Sequence, residues 1–495
     1  MRFPVVKVLL ACVILFSPAI FHAATYYVAP SGSNSNACTS ASSPCQTISG
    51  ALGKAKGAGD IVQIAAGTYK ESLSLNLAGT AGNPITLRGH DGSGCPKTSV
   101  SDPNSPTGSH PNSGVLLNGG ITIGASYVTV DCLHLLGGGF WINSGLTGGS
   151  LTNNEIDGNG SATPGGGIGF AGIGSVSSSG YSNNFVFTAN YIHGMSNGFY
   201  GACSSCTFND NEIFALSGNE PGSDHDYIDF WGIGSTISHN YMHGNSCNSC
   251  NGYDCHMDCL QAWNTTGNGT QVSKNNTFTR NVCFNHHEGV IMQDNAGNGD
   301  ISGWTVTNNV FGYGPYDDGS GHLCSAGTVH PWCWVFEQGK QGNNTFNNNT
   351  CIAGTMGFRN AQGSAVYNDN IYFTPGASTT IYDNSGATVT GSNNLYYAGS
   401  GKFSRGTFSG DIVDKNPSFV STGSGDTTQC SGCNYNIQSN SPAIDAGIST
   451  APSVTVDLLN TPRPQGAAYD IGAYEYSSGS KSQPAPPRNL TGVPH

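Results

Sequence analysis

The chain has 495 residues, of which 71 are glycine and only 9% are charged. A composition this rich in turn formers and poor in helix formers favours an all-β fold. The formal net charge of -13 argues against nucleic acid or an anionic membrane surface as a partner. An anionic glycan would need local cations or a bridging metal.

Residues 1–23 have the pattern of a secretory signal peptide. Two cations precede an apolar run from Val8 to Ile20, and Ala23 stands at a small-residue cleavage position. The apolar run is too short to span a bilayer. We therefore expect an exported chain, extracellular or periplasmic, that is monomeric and has no membrane anchor.

Seventeen cysteines would be unusual in a reducing compartment, and sixteen remain once Cys12 leaves with the signal peptide. An even number in an exported chain favours disulfides. We expect local disulfides within the closely spaced pairs, which are Cys38/Cys45, Cys203/Cys206, Cys247/Cys250, Cys255/Cys259, Cys324/Cys333 and Cys430/Cys433. A zinc site built from the three CxxC pairs is the alternative.

A short pattern, apolar-x-x-Asn-x-apolar, recurs along the centre of the chain. It is found at Asn154, Asn190, Asn211, Asn240, Asn281, Asn309, Asn349 and Asn370, with Asp131 at the same position of VTVDCL. The shortest interval is 21 residues, about the length of a β-helix coil of three short strands. Because one coil cannot bury its own apolar face, the coils must stack, with the Asn side chains forming a hydrogen-bonded ladder.

A second column supports this alignment. Eight residues after the Asn or Asp, four coils carry a glycine followed by an apolar residue; these apolar residues are Phe140, Phe199, Val290 and Phe358. We expect them to form one inward-facing column. The similarity of DYIDFWG to DCLQAWN adds Ile228 and Leu260 to it.

Distinctive phrases flank the coils: TYYVAPSGSN and GDIVQIAAGTYKE before them, and NPSF, SPAIDAG and DIGAYEY after them. We interpret the first group as an amphipathic cap with the first strands and the second as segments that close the helix. In these phrases the chain resembles secreted right-handed parallel β-helix proteins of the pectate-lyase superfamily. The resemblance implies one all-β solenoid domain over residues 24–476, and residues 477–495 form a Pro/Ser/Gly-rich tail that we expect to be disordered.

Insertions collect in the coils after Asn211, Asn240 and Asn309, where long loops would form the walls of a groove. Just before the inward column, three successive coils carry the runs Asp224-His225-Asp226, His256-Met257-Asp258 and His286-His287-Glu288. Rungs lie about 4.8 Å apart, so Asp226, Asp258 and Glu288 should form a carboxylate ladder with its outer members about 9–10 Å apart. Such stacked charges raise at least one pKa or require a cation. A solvated acidic strand edge is the alternative.

Aromatic and polar side chains accompany the ladder. Trp231 and Trp263 have faces that suit sugar rings, although they could equally belong to the core. Asp229 and Gln261 follow the inward column by one residue, so we expect both to point outward into the groove. Three histidines complete the candidate site; His256 and His287 are candidate acid–base groups and His225 a candidate substrate ligand, while each alone could be a turn residue bonded to backbone.

Two basic residues lie further along, Lys340 in WVFEQGKQGNNTF and Arg359 in GTMGFRNAQ. Here the sequence resembles the chondroitinase B and alginate lyase family, in which a Lys after one strand and an Arg on the next abstract and return the C5 proton. The resemblance implies that Lys340 is the base and that Arg359 is the acid or neutralises the uronate. Where that family has calcium-binding acids, this chain has Cys333 and Val335, with Glu337 nearby.

These residues are compatible with several functions. We favour a polysaccharide lyase acting on a uronate-containing glycan, with calcium held by Asp226, Asp258 and Glu288 and a base supplied by Lys340 or Arg359. An inverting glycoside hydrolase would need only two carboxylates roughly 6.5–9.5 Å apart. A non-catalytic glycan-binding or adhesive β-helix and an epimerase remain as alternatives. In every case the expected partner is a polysaccharide.

Overall fold

The computed structural model describes residues 23–100, 104–159, 167–171, 177–214, 216, 226–244, 258–265, 271–284, 286, 288–312, 332–337, 339–352, 355–359, 362–374, 382–384, 387–398, 408–422, 433–450 and 454–477. Three long sets of parallel strands, which we call sheets A, B and C, account for almost all of its regular structure. No helix in these ranges is long and apolar enough to cross a membrane.

The strands are short and follow one another regularly. Sheet A contains Thr25–Val28, Ile61–Ile64, Ile85–Arg88, Val128–Asp131, Thr147–Thr152, Ser182–Thr188, Thr207–Asn209, Thr236–Ser238, Thr277–Thr279, Thr305–Thr307, Lys340–Asn347, Gln362–Asn368 and Thr388–Ser392. Sheet B contains Gly67–Tyr69, Val115–Asn118, His134–Leu136, Glu155–Asp157, Tyr191–His193, Glu212–Phe214, Tyr241–His243, Val282–Phe284, Val310–Gly312, Thr350–Ile352, Ile371–Phe373, Leu395–Tyr397 and Ile412–Val413. Sheet C contains Leu73–Leu75, Ile121–Ile123, Phe140–Ile142, Ile168–Phe170, Phe199–Ser204, Ile228–Ile233, Leu260–Asn264, Val290–Asp294, Trp332–Glu337, Thr355–Arg359 and Tyr382–Asn384.

Each full coil visits the three sheets in the order A, B, C. The strand Val128–Asp131 leads to His134–Leu136 and Phe140–Ile142, and the chain then returns to sheet A at Thr147–Thr152. Every strand pairs in parallel with its equivalent one coil later, as Phe140–Ile142 does with Ile168–Phe170. The prediction of an all-β parallel β-helix is therefore confirmed.

The inward column is confirmed over most of its length. Phe140 pairs with Ile168, which pairs with Phe199 and in turn with Ile228, and Leu260 pairs with Val290. All are buried, which agrees with an interior of stacked apolar side chains.

The placement of Phe358 in that column is wrong. Phe358 pairs with Phe336, which pairs with Met292, two residues beyond Val290. A slip of two residues keeps a side chain on the same face of a strand. The hydrophobic pattern therefore could not reveal the shift.

The asparagine ladder forms as predicted. From Asn190 onward, the side-chain Oδ1 of each ladder Asn accepts hydrogen bonds from the backbone N–H and the Nδ2 of the ladder residue one coil earlier, as Asn281 does from Asn240 at 2.9 Å each. It extends one rung beyond the prediction, to Asn394, and ends where Asn394 donates to Asp411.

The first rung of the ladder was assigned wrongly. Leu133, and not Asp131, lies at the ladder position, because its backbone N–H donates to Asn154 Oδ1 at 3.1 Å. Asp131 pairs with Thr152, two residues earlier, and accepts from Thr152 Oγ1 and Asn153 Nδ2. Asp131 has the same apolar neighbours in the sequence as a ladder Asn, so the local pattern does not distinguish the two.

The turn between sheets A and B is tight, because the residue before the ladder position adopts a left-handed conformation, as at Ala189 with φ 56° and Arg280 with φ 55°. The insertions therefore go elsewhere. The intervals from Phe214 to Ile228 and from His243 to Leu260 both lie between sheets B and C. Both insertions in the sequence therefore precede strands of sheet C.

The N-terminal end is covered by the predicted cap. Its helix, Ile48–Leu52, buries Ile48 and is capped by the Thr47 side chain, which accepts from Gly50 N–H. The Glu71 carboxylate accepts from the first two N–H groups of the helix, and this satisfies donors that the helix leaves free.

Residues 433–477, which we call the C-terminal strap, do not close the end of the stack as predicted. They lie along its side, on the outer face of sheet B, where their apolar residues pack against Tyr241, Phe284, Ile371 and Leu395. The outer face of sheet B is apolar at these coils, and the strap buries it.

Disulfides confirm part of the cysteine prediction. Cys38–Cys45 and Cys203–Cys206 form as expected, and the second of these excludes the zinc reading for that CxxC pair. Cys433 is also disulfide-bonded. The remaining predicted cysteines lie outside the described residues and are Cys247, Cys250, Cys255, Cys324 and Cys430.

Two expected pairs are wrong. Cys259 bonds to Cys283 and not to Cys255, and Cys333 bonds to Cys351 and not to Cys324. Both bonds join sheet C to the sheet B strand of a neighbouring coil, a contact that chain proximity does not reveal. A further bond, Cys95–Cys132, was not anticipated.

Candidate functional site: a column of carboxylates

The predicted carboxylate ladder forms at the N-terminal edge of sheet C. Backbone hydrogen bonds place four residues in one column, since Gly198 N–H donates to Asp226 O, Tyr227 N–H to Asp258 O and Cys259 N–H to Glu288 O. The column, from N- to C-terminal coil, is Asn197, Asp226, Asp258 and Glu288. We call it the carboxylate column.

Side chains in the column bond to the backbone of the next rung. Asp226 Oδ1 accepts from Asp258 N–H at 2.7 Å, and Asp258 Oδ1 accepts from Glu288 N–H at 3.0 Å. The direction is opposite to that of the asparagine ladder, in which each side chain accepts from the backbone N–H of the preceding rung. The three acids are at most 3% exposed, so the alternative of a solvated acidic edge is wrong.

Gln261 links the column to the adjacent outward position. When the Gln261 amide is turned so that its nitrogen faces the two carboxylates, that nitrogen donates to Asp229 Oδ1 and to Asp226 Oδ2, both at 2.9 Å. Asn197 Nδ2 donates to the other oxygen of Asp229 at 3.2 Å. Asp229 and Gln261 pair across neighbouring rungs on the face opposite Ile228, as predicted, but both are buried.

Sequence reasoning missed Asn197. It precedes Phe199 by two residues, the same offset by which Asp226 precedes Ile228. That constant offset is the signal in the sequence that identifies Asn197 as a member of the column.

Trp231 and Trp263 each lie two residues after Asp229 and Gln261, on the same outward face of sheet C. Trp231 is fully buried, in a cluster with Tyr181 and Ala202, and its Nε1 donates to Trp263 O at 2.5 Å. Trp263 is half-buried and meets Trp231 edge to face, with ring centroids 5.3 Å apart. Only Trp263 therefore presents surface to a ligand in this structure.

The histidine predictions remain untested. His225, His256 and His287 lie outside the described residues. Their neighbour His286 is described, is 1% exposed and packs edge-on to Phe311 at 6.2 Å.

Lys340 and Arg359 do not lie beside the carboxylate column. Arg359 pairs in backbone register with Glu337, which pairs with Gln293, near the C-terminal edge of sheet C. The exposed Lys340 follows that edge, and its backbone N–H donates to Asp294 Oδ2 at 3.0 Å. Asp294 is six residues beyond Glu288, about 20 Å along a strand. The acids of the carboxylate column and the two basic residues thus lie at opposite edges of sheet C.

The acids of the column do not form a ready calcium site. Calcium takes six to eight oxygen ligands that converge on one point. Here Oδ1 of Asp226 and Oδ1 of Asp258 accept backbone N–H groups, and Oδ2 of Asp226 faces the Gln261 amide. Within the described part of the chain no group of three or more His, Cys, Asp or Glu side chains is arranged to hold a metal ion. The calcium prediction is not confirmed.

The column can nevertheless do proton chemistry. Asp226, Asp229, Asp258 and Glu288 lie within three successive rungs and are almost completely buried. Four such groups cannot all be ionised at low cost, since each buried negative charge disfavours the next. They must share protons or balance their charge with a cation.

Comparison with known proteins gives no family assignment. No protein-family model matches the chain, and no curated protein matches it. Solved structures that match include XylC in complex with xylose, at 12% identity and a TM-score of 0.46 over 91% of this chain and 98% of that chain. The pectate lyase Pel9A matches at 14% identity and a TM-score of 0.36, over 92% and 96% of the two chains.

A PL6 family polysaccharide lyase from Pseudopedobacter saltans matches at 15% identity and a TM-score of 0.38, over 74% of this chain and 90% of that one. The matching structures include proteins of the kinds that the sequence resemblance named. The fold assignment rests on this chain's own strand pairings.

Proposed function

We propose that the chain is an exported glycan-cleaving enzyme that hydrolyses glycosidic bonds with the acids of the carboxylate column. The observation that carries this proposal is the burial of Asp226, Asp258 and Glu288 on three successive rungs, each of the first two bonded to the next rung. A chain with only 9% charged residues gains no stability from stacking acids in its interior. A chemical role accounts for this cost.

The outer members of the column are two rungs apart, about 9–10 Å between equivalent atoms. This is close to the roughly 6.5–9.5 Å that separates the acid and base of inverting glycosidases, which must accommodate a water molecule. We assign Asp226 as the base; its carboxylate accepts from Asp258 N–H and, with the Gln261 amide turned toward it, from Gln261. Glu288 is then the acid.

The proposed reaction conserves atoms and charge. Asp226 takes a proton from water as the water oxygen attacks the anomeric carbon. The bond to the leaving oxygen breaks, and Glu288 gives that oxygen its proton. Asp258, between them, hydrogen-bonds the backbone of Glu288 and holds the acid in place.

A lyase remains the second candidate, at the other edge of sheet C. The observation in its favour is the backbone register, which pairs Arg359 with Glu337. Glu337 stands three residues before the exposed Lys340. In that reading Lys340 removes the C5 proton, and the carboxylate column has no catalytic role.

Four variants separate the two reactions. Asp226→Asn and Glu288→Gln preserve shape while removing a titrating group, and they should reduce turnover by about 10²–10⁴-fold in the hydrolase. Lys340→Ala and Arg359→Ala serve as controls and should retain near-normal turnover. The opposite pattern supports the lyase, and binding without turnover on any glycan would identify a non-catalytic binder.

A further inference from the structure

The outer face of sheet C extends several rungs beyond the carboxylate column toward the N-terminus. The strand pairings align the outward residues of this face in two rows. The first row contains Ser74, Thr122, Trp141, Gly169 and Tyr200, and the second contains Asn76, Gly124, Asn143, Ala171 and Ala202. The first row continues into Asp229 and Gln261 and therefore ends beside the carboxylate column.

Trp141 is unusual on this face. It is 40% exposed, and an indole ring left in water forgoes the free energy of burial that Trp231 gains three rungs away. The outward residue on the following rung is Gly169, which has no side chain. One rung further stands the half-buried Tyr200. Two aromatic side chains are thus separated by a rung that has no outward side chain and at which Gly169 itself is buried.

Amide groups flank the indole. Asn76 and Asn143 are exposed and lie on either side of Gly124, where a Cβ atom would meet Asn76 Oδ1 and approach Asn143 Nδ2 to 3.6 Å. Gly124 therefore allows the two amides to converge. They offer donors and acceptors beside an apolar ring, the combination that carbohydrate hydroxyl groups and ring faces require.

The face carries no charge. All ten outward residues from Ser74 to Ala202 are uncharged, and Asp229 is the first charged residue in the row. A polyuronate would bring one carboxylate per sugar and would need cations along this path. The rung spacing of about 4.8 Å is close to the length of one pyranose unit, so a chain lying along the helix axis would meet an equivalent position at each rung.

We propose that Trp141, Asn76, Asn143 and Tyr200, the Trp141 platform, bind an uncharged polysaccharide that runs along the helix axis into the carboxylate column. The indole stacks on a sugar about 14 Å, or three rungs, from Asp229. This inference rests on the proposed function for the identity of the reacting site, and it names the substrate class as a neutral glycan bound over several sugars.

The test measures binding separately from turnover. In native gels containing a xylan, a galactan, a glucan or polygalacturonate, the wild-type protein should be retarded by at least one neutral polymer and not by polygalacturonate. Trp141→Ala should weaken that retardation about tenfold, which corresponds to the loss of one stacking contact. Val186→Ala is the matched control, because Val186 is 39% exposed on the outer face of sheet A.

The outcomes distinguish the two proposals. Trp141-dependent retardation without cleavage supports the platform and contradicts the hydrolase. Cleavage of a neutral polymer with equal retardation of wild type and Trp141→Ala overturns the platform and leaves the hydrolase intact. Retardation by polygalacturonate alone, or by none of the four polymers, also overturns it. Unchanged circular dichroism of Trp141→Ala confirms that the variant is folded.

Discussion

Replacing a central rung of the asparagine ladder tests what holds the coils in register. Asn281 Oδ1 accepts from Asn240 N–H and Nδ2 at 2.9 Å each, and Asn281 Nδ2 donates to Ile237 O at 3.1 Å. Asn281→Ala leaves two donors and the Ile237 O acceptor buried without these partners, and it removes one of the two bonds that Asn281 donates to Asn309 Oδ1. At about 1–3 kcal/mol for each buried unsatisfied group, and with partial relaxation, we expect the free energy of unfolding to fall by about 3–5 kcal/mol.

Urea unfolding followed by circular dichroism measures this loss. Asn281→Asp keeps the acceptor for Asn240 but sets a carboxylate oxygen against Ile237 O and Asn309 Oδ1, so we expect it to be destabilised as well. The exposed Asn112 provides the control variant Asn112→Ala, which should change stability by less than about 0.5 kcal/mol. A wild-type unfolding curve for Asn281→Ala would refute the reasoning that the ladder stabilises the stack.

Three further predictions concern charge and cross-links. Burial raises the pKa of Asp369 to about 7, so the stabilising protonated form is lost as the pH rises toward 7. Asp369→Asn should therefore raise the free energy of unfolding by about 1–3 kcal/mol at pH 8 and have little effect near pH 4. Urea titrations at both pH values will measure this. Burial opposes ionisation of Glu212, but hydrogen bonds from His110 and His243 outweigh it and lower its pKa to about 2. The contribution of Glu212 to the free energy of unfolding is therefore present above about pH 4.5 and is lost as the pH falls toward 2. Thermal melts should show that Glu212→Gln is destabilised by about 1–3 kcal/mol at pH 6 and unchanged at pH 2. Removing the Cys259–Cys283 bond with a double Ser variant should cost about 3 kcal/mol in urea unfolding and also reduce turnover, because Cys259 follows Asp258 in the carboxylate column.

Much of the fold could be predicted from the sequence, because it depends on local repetition. The ladder motif has a fixed position relative to a tight turn, so Asn154 to Asn370 could be aligned without any long-range information. Asp131 shows the limit, since an acid between apolar residues has the same local pattern as a rung. Phe358 shows another, because a slip of two residues leaves the inward pattern unchanged.

The site was predictable in part, for the same physical reason. Asp226, Asp258 and Glu288 stand at a constant offset from an inward column, and the parallel register brings such residues together. Lys340 and Arg359 were placed with them by resemblance, whereas strand length puts them at the opposite edge of sheet C. Contacts such as Cys259–Cys283 and the packing of the C-terminal strap depend on which faces remain apolar, which the repeat does not encode.

The most direct test of the account is product analysis on a neutral polysaccharide that the wild-type protein cleaves. Proton NMR should show new reducing ends that are released with inverted anomeric configuration, no unsaturated sugar ends, and no products from Asp226→Asn or Glu288→Gln. Unsaturated ends, or full turnover by both of these variants, would contradict hydrolysis by the carboxylate column.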